Sequence, residues 1–284
     1  GFLANTIELN ELSGCCYFEP YAGGAGAALG LLKRRVVSEI YINDADRRVF
    51  AFWNAAINSS ERFVERIRSV PLTIEEWRRQ QAICADPKSH SQFDIGFAAF
   101  FMNRCNRSGV LTRSGPIGGF KQTGKWLIDA RFNRSSLSER IILISKLKQN
   151  IHLSCEDAIV FLRTLLPRGR GRNKVFAYLD PPYVSNGKRL YLNAYSSIDH
   201  VKLSRYLYRQ KALHWIMSYD DSEIIRQLYL NCKISILPIR YSLQDKRRAQ
   251  ELIIAPKNLV VTNTYRVFGR DSLQKTIDAA RRPL

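Results

Sequence analysis

Four consecutive residues near the middle of the chain combine a carboxylate, a rigid backbone and an aromatic ring: Asp180, Pro181, Pro182 and Tyr183. They follow an apolar run, residues 175–179, that predicts a buried strand. Because proline has a fixed φ and no N–H, the chain leaves the sheet abruptly there and its carbonyl groups point outward. Asp180 and the Pro181 carbonyl can accept hydrogen bonds from a flat, amine-bearing molecule, and Tyr183 can stack on its face. An adenine base fits this description, so we predict catalytic roles for all four residues.

A second candidate site is the turn after the first predicted strand, which reads Glu19, Pro20, Tyr21, Ala22, Gly23 and Gly24. Its small residues let backbone N–H groups approach a ligand closely and let the next helix begin against that ligand. Alone, this turn is also compatible with a nicotinamide or flavin dinucleotide. Asp44 ends the second predicted strand, where it can accept ribose hydroxyls, and Asp157 follows the third; each taken singly is equally well explained as a helix cap. Together with the motif at 180–183, these features disfavour a nicotinamide protein.

The composition favours nucleic acid as the partner. The 284 residues include 44 lysines and arginines against 25 aspartates and glutamates, a formal net charge of +19, as expected of a protein that binds polyphosphates. The six cysteines form no C-x-x-C pair and the four histidines have no ligand spacing, so we expect a reducing compartment and no metal site. The sequence contains no signal peptide and no apolar run of membrane length, which predicts a cytoplasmic protein without membrane contact.

A mostly parallel sheet would bring these residues together. Seven short apolar runs alternate with helical patterns, which predicts an α/β protein with a Rossmann-like, doubly wound sheet. The predicted strands are Cys15 to Phe18, Glu39 to Ile42, Ile151 to Cys155, Val175 to Leu179, His214 to Ser218, Ile234 to Ile239 and Glu251 to Ala255. Thr73 and Ser136, each followed three residues later by glutamate, predict two helix starts. In such a sheet, ligands bind at the carboxyl ends of the strands, where both candidate sites are predicted.

One stretch interrupts this alternation. Residues 71–135 contain no buried-strand pattern, and their basic residues are interleaved with Phe120, Trp126 and Phe132, a composition suited to phosphates and exposed bases. We predict a mostly helical and loop-like DNA-recognition subdomain at 71–135, inserted into a catalytic domain formed by 1–70 and 136–284. A long solvated loop is the alternative. The candidate DNA-binding residues, two of which follow the catalytic motif, are Arg104, Asn106, Arg107, Arg113, Lys121, Lys125, Arg131, Arg134, Lys188 and Tyr195.

Over nearly its whole length the chain resembles the Dam-like, alpha-group DNA adenine-N6 methyltransferases. Residues 18–24 resemble the family's S-adenosylmethionine loop, Asn43-Asp44 its ribose-binding acid, and Glu156-Asp157 the acid that meets the cofactor's adenine. Residues 178–183 resemble the catalytic motif, residues 103–109 the start of the recognition insert, and residues 218–222 and 251–254 two further family blocks. The resemblance implies that S-adenosyl-L-methionine is bound by Glu19, Pro20, Tyr21, Ala22, Gly23, Gly24, Asp44, Asp157 and Asp180.

The activity implied by the resemblance is transfer of a methyl group to N6 of an adenine flipped out of double-stranded DNA, in restriction, phage modification or housekeeping. Methylation of cytosine N4 is chemically equivalent and stays open. The family's Gly-Gly-Lys segment, whose lysine contacts the cofactor, is not found ahead of the first strand, and the sequence begins at Gly1 without a methionine. A catalytically silent DNA-binding subunit of a restriction or phage-defence system is therefore a second alternative. The target sequence and the oligomeric state stay open; a monomer and a complex with partner proteins of such a system are both compatible.

Overall fold

A computed structural model describes residues 1–111, 114–184, 195–239 and 249–262; the predicted DNA-binding residues Arg113 and Lys188 lie outside these ranges. In chain order the helices and strands are α1 (Phe2–Leu9), β1 (Cys15–Glu19), α2 (Gly26–Lys33), β2 (Val37–Asn43), α3 (Arg47–Asn58), α4 (Ser60–Ser69), α5 (Ile74–Ala85), α6 (Gln92–Cys105), α7 (Arg134–Ser145), β3 (Ile151–Ser154), α8 (Ala158–Leu165), β4 (Val175–Leu179), α9 (Ser197–Arg209), β5 (His214–Asp220), α10 (Glu223–Leu228), β6 (Lys233–Ile239) and β7 (Ala249–Ala255).

The strands form a seven-stranded sheet in the order β3-β2-β1-β4-β5-β7-β6. β1 is parallel to β2 and β4, and β4 is parallel to β5, whereas β7 runs antiparallel to β5 and β6. The chain order reverses between β1 and β4, which is the switch point where open α/β sheets bind ligands. The predicted α/β fold with a Rossmann-like sheet is confirmed, and every predicted strand is present with its ends within two residues of the prediction.

The chain forms two compact units. The first, which we call the sheet unit, consists of Gly1–Ile42 and Ala158–Leu284. Its core is built from the apolar faces of β1, β4, β5 and β7 and from α8 and α9, and includes Phe161, Leu203 and Trp215. This core supports the ends of β4 and β1, which lead into residues 180–183, the predicted catalytic motif, and residues 19–24, which we call the glycine turn.

The second unit, Asn43–Asp157, contains α3 to α7 and β3, and we call it the helical unit. Its core is rich in aromatic residues, with Phe63, Trp77 and Phe101 almost completely buried. At Gly96 the backbone of α6 comes so close to α3 that an added Cβ would overlap the carbonyl group of Ala51. Only glycine permits this close crossing of the two helices.

Two helix starts test the predicted caps. Thr73 caps α5 as predicted, because its hydroxyl oxygen accepts a hydrogen bond of 3.2 Å from the Glu76 N–H. The prediction for Ser136 was wrong: α7 begins three residues earlier, where the Asn133 side chain accepts a hydrogen bond of 2.9 Å from the Ser136 N–H. Asparagine is as good an N-cap as serine, so the capping pattern at Ser136 did not decide the start.

Candidate active site

The candidate active site lies at the carboxyl edge of the parallel strands in the sheet unit. β1 and β4 are neighbours, with Phe18 opposite Ala177. Glu19 ends β1, and Asp180 directly follows β4. The glycine turn and the catalytic motif therefore leave adjacent strands at the same edge, at the point where the chain order reverses.

Asp180 is half-buried, and in the described ranges its hydrogen-bonding partner is Ser218. Its Oδ1 atom accepts a hydrogen bond of 2.7 Å from the hydroxyl of Ser218, on the neighbouring strand β5. Burial raises the pKa of Asp180, and the hydrogen bond from Ser218 partly offsets that rise. Pro181 and Pro182 are buried and fix the chain direction immediately after the carboxylate.

Tyr183 completes the catalytic motif and is half-buried against the core of the sheet unit. Its hydroxyl donates a hydrogen bond to the carboxylate of Glu251 on β7. Burial raises the pKa of Glu251, and the charge of Asp180 adds to that effect. The next residue, Val184, donates its N–H to Asp220 at 3.0 Å, so that both ends of this short segment are tied to strands of the sheet.

The glycine turn is tight and open. Gly23 and Ala25 have left-handed backbone conformations, with φ of 46° and 43°, and the Ala25 N–H donates to the Ala22 carbonyl at 2.6 Å. A Cβ atom added to Gly23, Gly24 or Gly26 would meet no other atom within 4 Å. The turn thus leaves free space beside its backbone, as a site for a large ligand requires.

Glu19 connects this turn to the first turn of helix α2. Its side chain is only 4% exposed, and its Oε2 atom accepts a hydrogen bond of 3.1 Å from the N–H of Ala28 in the first turn of α2. Burial raises the pKa of Glu19 to about 8. Pro20 and Ala22 are also buried, whereas Gly23 and Gly24 are exposed.

Tyr21 and Tyr195 are brought together although 174 residues separate them, with their hydroxyl oxygens 2.6 Å apart. The Tyr195 ring also contacts the ring of His200, whose Nδ1 lies 2.6 Å from the hydroxyl oxygen of Tyr219. The glycine turn is therefore linked to α9 and β5 by a continuous group of aromatic side chains. Tyr195, predicted to bind DNA, has its hydroxyl beside that of Tyr21 in the glycine turn.

Asp44 and Asp157 belong to the helical unit. Asp44 follows β2, and its Oδ1 atom accepts a hydrogen bond of 2.8 Å from the N–H of Asp46. Asn43 makes two hydrogen bonds with the backbone of Glu156, at 2.9 and 3.0 Å, which fix the segment just before Asp157. Asn43 thus braces the two acid-bearing loops against each other.

Most of the predicted DNA-binding residues that the structure describes divide by whether their side chains make hydrogen bonds within the protein. Arg107, Lys121 and Lys125 have exposed side chains, and the rings of Phe120 and Trp126 near them are 57% and 66% exposed. Gln122 fixes the loop that carries the two lysines. Its side-chain amide makes hydrogen bonds of 2.6 to 2.9 Å with the backbone of Ile117, Gly119 and Ile128. This loop is a fixed platform that presents two cations and two aromatic rings to solvent.

Three other predicted DNA-binding residues make internal hydrogen bonds. Asn106 is completely buried, and its amide pairs with the Trp77 indole and the Val110 carbonyl at 2.7 Å each. Arg131 donates to the carbonyls of Asn103 and Asn106. Arg134 donates to the carbonyls of Ile67, Arg68 and Val70, at the carboxyl end of α4.

Arg104 is intermediate between these two groups. Its guanidinium donates to the Asn103 side chain, and it is half-buried. Burial and the nearby charges of Arg131 and Arg140 lower its pKa.

Among the residues that the structure describes, no group of three or more histidines, cysteines or acids is placed to hold a metal ion. None of the helices it describes has both the length and the apolar character needed to cross a bilayer.

Comparison with known proteins places the chain in a family. A family model described as D12 class N6 adenine-specific DNA methyltransferase matches residues 3–243. The chain belongs to this family. The match includes the glycine turn, the motif at 180–183 and the whole helical unit.

Two individual proteins are similar to this D12-class chain. The type II methyltransferase M.MjaIII of Methanocaldococcus jannaschii is 23% identical over 209 residues, which are 68% of this chain and 66% of that protein. The alignment thus spans slightly less than two thirds of that relative. Among solved structures, a conserved hypothetical protein of Streptococcus pyogenes matches with 10% identity and a TM-score of 0.36, over 87% of this chain and 89% of that chain.

Two polar residues of the site received no role from the sequence. Ser218 and Glu251 lie in stretches that resemble family blocks, but nothing local assigns them partners. A signal was present for Ser218, which is 2% exposed and directly follows the buried Ile216 and Met217. A buried hydroxyl in an apolar strand requires a hydrogen-bonding partner, and Asp180 is that partner.

Proposed function

We propose that this D12-class protein transfers a methyl group from S-adenosyl-L-methionine to the N6 amine of an adenine in double-stranded DNA. The observation that carries the proposal is the position of Asp180. Its half-buried carboxylate, held by Ser218 at 2.7 Å, follows β4 next to the strand that leads into the open glycine turn. A carboxylate that can accept hydrogen bonds from an amine thus lies after β4, and free space for a nucleoside lies beside the turn after the neighbouring strand β1.

Asp180 and the Pro181 carbonyl would activate the amine by accepting hydrogen bonds from its two N–H groups. The N6 lone pair is delocalised into the adenine ring, and it becomes nucleophilic when the hydrogens are held out of the ring plane. A strong general base is unnecessary, because the carboxylate stabilises the positive charge that develops on nitrogen as its bond to the methyl carbon forms and the carbon–sulfur bond of the donor breaks. The methylated amine then releases one proton to solvent, and S-adenosylhomocysteine leaves. When bound, S-adenosylmethionine supplies an electrophilic methyl group on a sulfonium centre. Alignment of the amine with that methyl group contributes much of the remaining rate acceleration.

The local electrostatics favour a cationic donor and a cationic transition state. Three carboxylates, Glu19, Asp180 and Glu251, lie in the sheet unit near enough that the charge of Asp180 raises the pKa of both glutamates. In each case burial is the larger cause. This acidic group sits in a chain whose net charge is +19. The ionised carboxylate of Asp180 favours a sulfonium over a neutral cofactor, whereas Glu19, whose pKa burial raises to about 8, is mostly protonated near neutral pH and adds little charge.

The glycine turn, Asp44, Asp157 and Asp180 are the residues we assign to cofactor binding. The free space beside Gly23, Gly24 and Gly26 fits a bulky nucleoside. The family resemblance supports the two acids, Asp44 as the ribose ligand and Asp157 as the partner of the cofactor's adenine. Tyr21 is assigned to the wall of this site and is held by Tyr195.

Access to N6 requires that the adenine leave the helix stack. Tyr183 would stack on the flipped base, and its hydrogen bond to Glu251 supports this role because it holds the ring in one orientation. The DNA contacts are assigned to the exposed cations of 71–135, Arg107, Lys121 and Lys125, together with Phe120 and Trp126. For Asn106, Arg131 and Arg134 we propose a structural role, since their polar groups serve the helical unit itself. A DNA substrate agrees with the cytoplasmic location predicted from the sequence.

The test is labelled-methyl transfer by the purified protein to duplex DNA, followed by identification of the modified nucleoside by mass spectrometry. We expect N6-methyladenine as the product. Asp180→Ala should lose activity by at least about 1000-fold with cofactor affinity largely retained. Asp221→Asn, an exposed acid paired with Arg226 at 2.7 Å, is the matched control and should keep full activity.

The same experiment separates the alternatives. N4-methylcytosine as the product would replace the adenine assignment by the cytosine one. Binding of DNA without any methyl transfer by the wild-type protein would support a catalytically silent subunit. Retained activity in Asp180→Ala would reject the role of this carboxylate.

A further inference from the structure

Three side chains from two neighbouring strands form a short hydrogen-bonded chain that ends at Asp180. The hydroxyl oxygens of Tyr178 and Ser218 are 2.9 Å apart, and the Ser218 oxygen is 2.7 Å from Asp180 Oδ1. Tyr178 in β4 and Asp180, which directly follows that strand, are two residues apart, and both side chains reach Ser218. On the parallel strand β5, Tyr178 is opposite Ile216, which places Ser218 beside Asp180.

The number of hydroxyl protons decides which group donates and which accepts in these two hydrogen bonds. Serine has a single hydroxyl proton and two acceptor lone pairs, whereas an ionised carboxylate can only accept. When Asp180 is ionised, Ser218 must donate to it, and the hydroxyl of Tyr178 must then donate to Ser218. The three groups are all satisfied in only this arrangement, which links the phenol of Tyr178 to the ionised form of Asp180.

We propose that Ser218 and Tyr178 are positioning residues for methyl transfer: they occupy one oxygen of Asp180, so that the other oxygen is left for the substrate amine. The proposal rests on the proposed function, because it concerns the same carboxylate. It assigns no contact with substrate to either hydroxyl. The orientation and the charge of Asp180 would then depend on Ser218 of the neighbouring strand β5.

The surroundings of Asp180 make such support necessary. Burial raises the pKa of Asp180, and among the residues that the structure describes the hydrogen bond from Ser218 lowers it. Within the described part of the chain, the other titratable groups facing it from β1, β4, β5, β7 and the catalytic motif are acids or phenols; burial is the largest cause of the raised pKa of each, and the charge of Asp180 adds to it. They are Tyr17, Glu19, Tyr178, Tyr183, Tyr219 and Glu251.

The experiment uses the full chain and compares Ser218→Ala, Ser218→Thr and Tyr178→Phe. Rates of methyl transfer are measured across the pH range with saturating S-adenosylmethionine and DNA. In Ser218→Ala we expect kcat to fall about 10-fold to 100-fold, the effect of losing a hydrogen bond to a charged group. The acid limb of the kcat profile should move to higher pH by about one unit, because an unsupported buried carboxylate holds its proton more tightly.

The other two variants give graded controls. Ser218→Thr keeps the hydroxyl and should restore most of the rate and the wild-type acid limb. Tyr178→Phe should move the limb in the same direction but by less, since Ser218 still donates to Asp180. The KM for S-adenosylmethionine should stay within about threefold of wild type in all three variants. A fall in kcat without movement of the acid limb would overturn the proposal, because it would reduce Ser218 to a packing role.

A second measurement does not depend on activity. The Asp180 carboxyl carbon is titrated by ¹³C NMR in wild type and in Ser218→Ala, with its signal assigned from Asp180→Asn. A higher pKa in Ser218→Ala supports the proposal, and an unchanged pKa overturns it. If the wild-type protein transfers no methyl group but the NMR shift is present, the proposed reaction fails and the positioning of Asp180 by Ser218 stands.

Discussion

The hydroxyl of Tyr183 donates a hydrogen bond to the carboxylate of Glu251, which joins the catalytic motif to the antiparallel strand β7. The two residues are 68 positions apart in the chain. This bond holds the ring of Tyr183 through its hydroxyl group, as the stacking role that we propose for the ring requires.

The first prediction follows from this bond. Tyr183→Phe keeps the ring but loses the hydrogen bond, so we expect kcat/KM for DNA methylation to fall about 10-fold, the effect of losing a hydrogen bond to a carboxylate. Tyr183→Ala removes the ring and should cost more than about 100-fold, because stacking contributes about 1–3 kcal/mol per base. Glu251→Gln retains an acceptor and is the matched control. Equal losses in Tyr183→Phe and Tyr183→Ala would contradict a stacking role.

A second prediction concerns the free space beside the glycine turn. Gly24→Ala adds a methyl group that meets no protein atom within 4 Å, so the melting temperature should not change. That methyl group would occupy space we assign to the donor, and calorimetric affinity for S-adenosylmethionine should fall at least about 10-fold. Gly30→Ala, an equally open position within α2, is the control and should retain wild-type affinity. Unchanged affinity in Gly24→Ala would show that the donor does not pack on this turn.

The third prediction separates exposed cations that bind DNA from those that only add charge. Lys121→Gln combined with Lys125→Gln should weaken DNA binding and reduce the salt slope of log K by about 1.8, because each lost phosphate contact accounts for about 0.9. The control pair is Lys33→Gln with Lys211→Gln. Both control lysines are exposed and precede β2 and β5, at the amino edge of the sheet. Equal effects of the two pairs would mean that only net charge matters.

The fourth prediction concerns Arg134, which donates to three carbonyls at the end of α4. Arg134→Ala leaves these carbonyls without their donor and should lower the free energy of unfolding by about 2 kcal/mol. Arg68→Ala, which removes an exposed arginine of α4, should cost less than about 0.5 kcal/mol. Urea denaturation measures both. If DNA affinity falls in Arg134→Ala while stability is unchanged, Arg134 is a DNA-binding residue instead.

The fifth prediction is a dependence of stability on pH. Burial raises the pKa of Glu19 from 4.5 to about 8, so the native state holds this proton more tightly than the unfolded chain does. The resulting stabilisation is complete below the unfolded pKa and is lost as the pH rises through the folded pKa. Glu19→Gln stays neutral and should therefore match wild type near about pH 4, below the unfolded pKa, and melt at a higher temperature near about pH 9. Glu8→Gln, at an exposed position of α1, should match wild type at both pH values.

Local sequence was sufficient to predict the strands and the residues that follow them. An apolar run such as residues 175–179 has few alternatives to a buried strand, and the prolines after Asp180 end it at a defined point. The start of α7, predicted at Ser136, was not determined by the local pattern. Asn133 and Ser136 are both good caps, and the fold uses Asn133.

The sequence by itself determined that an acid, two prolines and a tyrosine follow a buried strand, and that a glycine turn follows another. Only the tertiary structure decided that Ser218, 38 residues after Asp180, holds its carboxylate, and that Arg134 serves the end of a helix 64 to 67 residues earlier. The reason is physical: strand formation depends on neighbouring residues, whereas a side chain's hydrogen-bond partner depends on strand register and packing between distant segments. A pattern can therefore predict where a chemical group leaves the sheet, but not which group will hold it there.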